Sequence, residues 1–170
     1  AVNGNVTITR EAKQADSPFG DSAYNLRISN TGAAEPYLGG FTFYTPTRAN
    51  AQFVVRIIAK LPVGYELTWH SNYIGTNSES RWLSSSAGTG RFEEYLYFVR
   101  CCSEGLFHST NYFSLNGPAY GTPEAPIHWY LAYATVYDFT ALGLFDDVAA
   151  ATASANAANN TLADIAADNK

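Results

Sequence analysis

QFVVRIIAK, residues 52–60, places Phe53, Val55, Ile57 and Ala59 on one side of an extended chain, with Arg56 and Lys60 on the other. Alternation with a period of two fits a strand that has one face in a core and one in water. The same rhythm recurs in VTITR (6–10), AYNLRIS (23–29), FTFYT (41–45), YELTWH (65–70), RFEEYLYFVR (91–100), NYFSLNG (111–117) and IHWYLAYATVYD (127–138). In AYNLRIS, Tyr24, Leu26 and Ile28 share a face; in YELTWH, Tyr65, Leu67 and Trp69 do. These runs are rich in β-branched and aromatic residues and are punctuated by Gly, Pro, Asn and Ser. No stretch of helical period separates them. Strands that follow one another without crossover helices exclude a parallel α/β sheet and predict an all-β sandwich or barrel.

Beyond residue 140 the chain changes character. It holds 3 Trp, 12 Tyr and 10 Phe, and the last of these is Phe145. A tail of Ala, Asn and Asp cannot build a core of its own. Leu144, Val148, Ala151, Ala155, Ala158, Leu162, Ile165 and Asn169 are nevertheless spaced by 4, 3, 4, 3, 4, 3 and 4 residues, an unbroken heptad seam. Asp146 and Asp147 near the start and Lys170 at the end suit a helix dipole. At about 1.5 Å per residue the helix would be roughly 40 Å long. The expected organisation is a β-sandwich over 1–140 and an oligomerisation helix over 141–170. Folding back onto the sandwich as a lone amphipathic helix is the alternative.

The net charge is −5, and no basic run stands out, which argues against a nucleic-acid partner. No apolar run reaches the roughly 18 residues of a membrane span. Cys101 and Cys102 are neighbours, which disfavours a disulfide between them. With no ligand spacing around them they do not form a zinc motif. The chain contains no Met and starts at Ala1, as expected of a piece of a longer polypeptide.

Three His residues, 70, 108 and 128, are scattered, and no H-E-x-x-H, G-x-S-x-G or phosphate-loop pattern occurs. A glycosidase needs two carboxylates facing one cleft. Glu93 and Glu94 are adjacent on a strand and face opposite ways; Glu66 with Glu79 or Glu94 stays open. No catalytic residue, metal or cofactor is assigned. Sugar rings have apolar faces and a rim of hydroxyls, so a lectin-like site pairs an aromatic plate with amides and Arg. LTWHSNYIGTNSESRW (67–82) carries that mixture. The candidate ligand-binding residues are Asn72, Tyr73, Asn77, Arg81 and Trp82, with Tyr44, Arg48 and Tyr120 as weaker ones. Trp69 aligns with Leu67 and reads as core.

SAYNLRIS, QFVVRIIAKLPVGY, GTGRFEEYLYFVRC and IHWYLAYATVYD, with a Gly90, Phe92, Tyr95 segment, resemble the jelly-roll domains related to carbohydrate-binding modules. Followed by an Ala-rich helix ending LADIAADNK, the order of parts is similar to segments of tail-fibre and host-specificity proteins of tailed bacteriophages. The resemblance implies a non-catalytic module on a homotrimeric virion fibre, assembled in the host cytoplasm beside neighbouring fibre or tail-tip domains. Its expected partner is a bacterial surface glycan. Many such domains hold a structural calcium, to which Asp138 could contribute, but no partner ligands match and no metal is assigned. A ligand-free spacer of the fibre is the rival reading, and a glycan-cleaving enzyme a third.

Overall fold

The computed structural model describes residues 2–3, 5–19, 23–32, 40–41, 45–47, 51–71, 79–100, 105–107 and 111–142. Asn72, Tyr73, Asn77, Tyr44, Arg48, Cys101, Cys102 and the whole seam from Leu144 to Asn169 lie outside them.

The described chain is all-β. Its strands are β1 (Val2–Asn3), β2 (Val6–Ala12), β3 (Tyr24–Asn30), β4 (Gly40–Phe41), β5 (Thr45–Thr47), β6 (Gln52–Lys60), β7 (Glu66–Ser71), β8 (Glu79–Trp82), β9 (Phe92–Arg100), β10 (Gly105–Phe107), β11 (Asn111–Asn116) and β12 (Ile127–Asp138). A single 3₁₀ turn, Thr140–Leu142, is the helical element among these residues. The strands form an antiparallel six-stranded sheet in the order β2-β3-β12-β6-β9-β8 and a four-stranded sheet in the order β1-β4-β11-β7. β5 and β10 pair separately.

One core joins the two larger sheets. Ile28, Phe53, Val55, Ile57, Tyr95, Tyr97, Val99 and Trp129 of the first meet Phe41, Leu67, Phe113 and Leu115 of the second. Each large side chain removed from water in this way contributes about 1.5–3 kcal/mol. The alternation of QFVVRIIAK is realised as drawn from the sequence: its odd-numbered residues face the core, while Arg56 and Lys60 face out. Gly40 lets β4 approach β11 closely, because a Cβ there would sit 1.7 Å from the Phe113 carbonyl oxygen.

Two irregularities shape the surface. After Trp82 the chain leaves the six-stranded sheet: the Leu83 amide still bonds Leu96, but the Leu67 amide bonds Ser86 and the Gly88 amide bonds Tyr65. Residues 86–88 thus lie along the edge of β7 in the other sheet. The second irregularity is a bulge in β12 between Leu131 and Tyr133. Trp129 and Leu131 face the core, so plain alternation would bury Tyr133 and Tyr137 as well. The extra residue, Ala132, reverses the parity. Ala134 and Val136 pack against the core instead, and Tyr133 and Tyr137 turn outward.

Candidate functional site

The bulge coincides with the point where β3 ends. The last β3–β12 partners are Leu131 and Leu26, while β12 runs on to Asp138 beside β6. A cleft of about 570 Å³ opens there, lined by Ala23, Tyr24, Leu26, Leu131, Ala132, Tyr133 and Ala134. That size suits an organic ligand of several rings. The lining mixes polar and apolar surface and includes two tyrosines, of which Tyr24 is 40% exposed. Each ring is backed by a guanidinium: Arg10 lies 4.7 Å from the Tyr24 ring centre and Arg56 lies 5.6 Å from that of Tyr133. Such contacts are worth about 0.5–1 kcal/mol at exposed sites and hold the rings in place. Phe19, from the β2–β3 loop, packs on Tyr133 at 5.5 Å. The loop itself is anchored by the buried Asn25, whose Oδ1 accepts from the Gln14 amide and whose Nδ2 donates to Ser17 Oγ.

By register Tyr24 and Arg10 lie on the face shared by Leu26 and Ile28, whereas Tyr133 and Arg56 belong to the opposite, outer face of the six-stranded sheet, which continues across the strands. Register puts Tyr137, Val54, Phe98 and Arg81 in one row. Arg56 pairs with Glu94 and bonds Tyr137, and these two hydrogen bonds, Glu94 first, raise its already high pKa. Arg81 pairs with Glu79 and lies 4.8 Å over the Phe98 ring. The face therefore alternates aromatic rings with fixed donors and acceptors.

Of the residues expected from sequence to bind ligand, Arg81 and Trp82 are described, and β8 separates them. Adjacent strand residues point to opposite faces. Arg81 is on the outer face, at the far edge from the cleft by three strand spacings, roughly 14 Å at about 4.8 Å each. Trp82 turns inward and packs edge-on against Tyr97 at 4.8 Å, within a ring cluster that also holds Trp69 and Phe113. The two do not meet in one site. Tyr120 is exposed on the β11–β12 loop, away from the residues that line the cleft.

The carboxylates do not assemble either. Glu94 and Glu93 face opposite ways, the latter accepting from Thr89. Glu66 belongs to the other sheet, where Asn116 and Ser86 donate to its two oxygens at 3.1 and 3.5 Å. Asp138 Oδ1 accepts from the Thr140 amide at the start of the 3₁₀ turn. Among the described residues no three His, Cys, Asp or Glu cluster as metal ligands, and no helix is long and apolar enough to cross a membrane. Comparison with known protein families, characterised proteins and solved structures returned no match.

The cleft was not visible in the sequence. Tyr24 reads as a core residue by parity with Leu26 and Ile28. Tyr133 and Tyr137 depend on a one-residue bulge, and IHWYLAYATVYD contains neither Gly nor Pro to mark it.

Proposed function

We propose that this chain is a non-catalytic glycan-binding module of jelly-roll type that attaches to a bacterial surface polysaccharide. The observation that carries the reading is the cleft at the β12 bulge, lined by Tyr24 and Tyr133, with Arg56 against the Tyr133 ring and paired with Glu94. Stacked phenols take the apolar faces of sugar rings, and the ion pair supplies both donors and acceptors to hydroxyls. The strand order supports the jelly-roll assignment. Successive strands alternate between sheets as β3 to β4, β6 to β7, and β11 to β12, and the segment after β8 crosses from one sheet edge to the other.

The heptad from Leu144 to Ile165 supports a trimeric stalk, and the likeness to tailed-phage fibre segments supports a place on the virion. A shallow site binds weakly as a single copy. Three copies on one stalk raise avidity by about 10²–10⁴-fold where receptor spacing allows. The rival reading, a spacer without ligand, draws on one observation: the Trp82 ring is committed to the core cluster. Screening the chain and a Tyr24→Ala variant on an array of bacterial surface polysaccharides distinguishes the two. Glycan binding is expected for the parent and loss of it for the variant. A parent that binds no glycan favours the spacer.

A further inference from the structure

We infer that the cleft takes a sugar bearing an acetamido group, whose carbonyl accepts from the Ala134 N–H while its methyl covers Leu26, Leu131 and Ala132; this rests on the glycan-binding reading above. Beyond the bulge, β12 is paired on one side only among the described residues. Its partners in β3 end at Leu131, whereas β6 accompanies it from Tyr133 to Asp138. Antiparallel partners alternate between bonded and unbonded pairs, so one bond fixes the direction of the rest. The Phe139 amide donates to the Gln52 carbonyl at 2.8 Å, and the register then turns the N–H and C=O of Tyr137, Thr135 and Tyr133 towards β6. Ala134 and Val136 turn theirs the other way, into the gap where β3 has ended. Ala134 lines the cleft and is half-buried, and no described residue bonds its N–H or C=O on that side.

Backbone groups at a strand edge must find partners in water or in a ligand, and a ligand that displaces the water has to replace its hydrogen bonds. Beside this edge stand the side chains of Leu26, Leu131 and Ala132. A bare hydroxyl would satisfy the edge and leave that apolar surface uncovered. An alkyl substituent would do the reverse. An acetamido group does both, since its carbonyl is the acceptor that a neighbouring strand would offer and its methyl lies beside it. The Ala134 carbonyl then accepts from an adjacent hydroxyl of the same sugar. Because the group is neutral, recognition does not depend on the charges around the cleft. The Tyr24 ring, also in the lining, is left for the apolar face of the sugar.

Affinity electrophoresis of the full chain tests this with matched gels. Each holds a bacterial polysaccharide containing N-acetylated amino sugars, the same polymer after de-N-acetylation, or that product acetylated again. Retardation by at least one N-acetylated polymer is expected, weaker by about tenfold after de-N-acetylation and restored by re-acetylation, as for a lost hydrogen bond and a lost methyl contact. Ala134→Pro removes the edge N–H without costing a bond to β6, and the folded variant should lose the preference. Amide hydrogen exchange of the unaltered chain gives a reading that does not depend on the variant folding: fragments of a retarding N-acetylated polymer should slow exchange at Ala134. Equal retardation before and after de-N-acetylation, a folded Ala134→Pro chain that keeps the preference, or Ala134 exchange that the fragments leave unchanged overturns the inference while leaving glycan binding intact. Retardation by no polymer, N-acetylated or not, overturns both.

Discussion

Trp129 is the largest fully buried side chain, and its indole N–H donates to Asn30 Oδ1 at 3.0 Å in the middle of the core. Asn30→Ala leaves a buried donor without that acceptor, so unfolding in urea should show a loss of about 1–3 kcal/mol. Tyr95 and Tyr97 predict an alkaline limit. Burial, with the Glu93 carboxylate adding to it, pushes the Tyr95 phenol up to about 12; burial raises Tyr97, partly offset by a hydrogen bond with Ser80. An unfolded tyrosine ionises near 10, so the folded chain keeps protons that the unfolded chain has lost. For Tyr95 the contribution is complete below about pH 10 and disappears as pH rises towards about 12; Tyr97 acts in the same direction. The slope is about 1.4 kcal/mol per pH unit for each such group. Denaturant titrations across that window should show stability falling, and Tyr95→Phe should flatten the fall. Single residues of this kind were legible where parity alone decides, as for Phe53 and Trp69. Trp82 was not, because a tryptophan beside a polar loop looks the same in sequence whether its strand turns it in or out.

At the scale of elements, the strands with strong alternation were legible almost to the residue: β6 and β12 span the segments marked by their patterns. β8 was missed, since Glu79, Ser80 and Arg81 are all exposed and only Trp82 reaches the core. A strand with a single anchored side chain carries no period to read. The bulge at Ala132 was missed for a related reason, since it reverses parity inside an uninterrupted strand signal. Deleting Ala132 should restore plain alternation and drive Tyr133 and Tyr137 towards space now held by Ala134 and Val136. Overpacking of this sort costs about 1–3 kcal/mol per site. The deletion should therefore lower the melting temperature and abolish glycan binding, whereas Ala132→Gly, which keeps the extra residue, should stay folded. Scanning calorimetry of the two variants makes the comparison.

For the whole molecule, the proposed arrangement is a sheet with a ligand cleft followed by a tail whose heptad would gather copies. The tail is tested by mass: light scattering of residues 1–140 and of 1–170 should give a monomer and a trimer, and equal masses would sink the stalk. Leu162→Ala with Ile165→Ala should dissociate the longer chain while leaving the sheets folded, since losing buried Leu or Ile side chains costs about 2–5 kcal/mol each. The central claim is where the sugar sits. Amide chemical-shift mapping of the labelled chain, titrated with fragments of a polysaccharide that binds it, reads this directly. Shifts concentrated at Tyr24, Leu26, Leu131–Ala134, Arg56 and Glu94 are the predicted result. Shifts confined to residues 71–82, with the cleft residues unmoved, would contradict it.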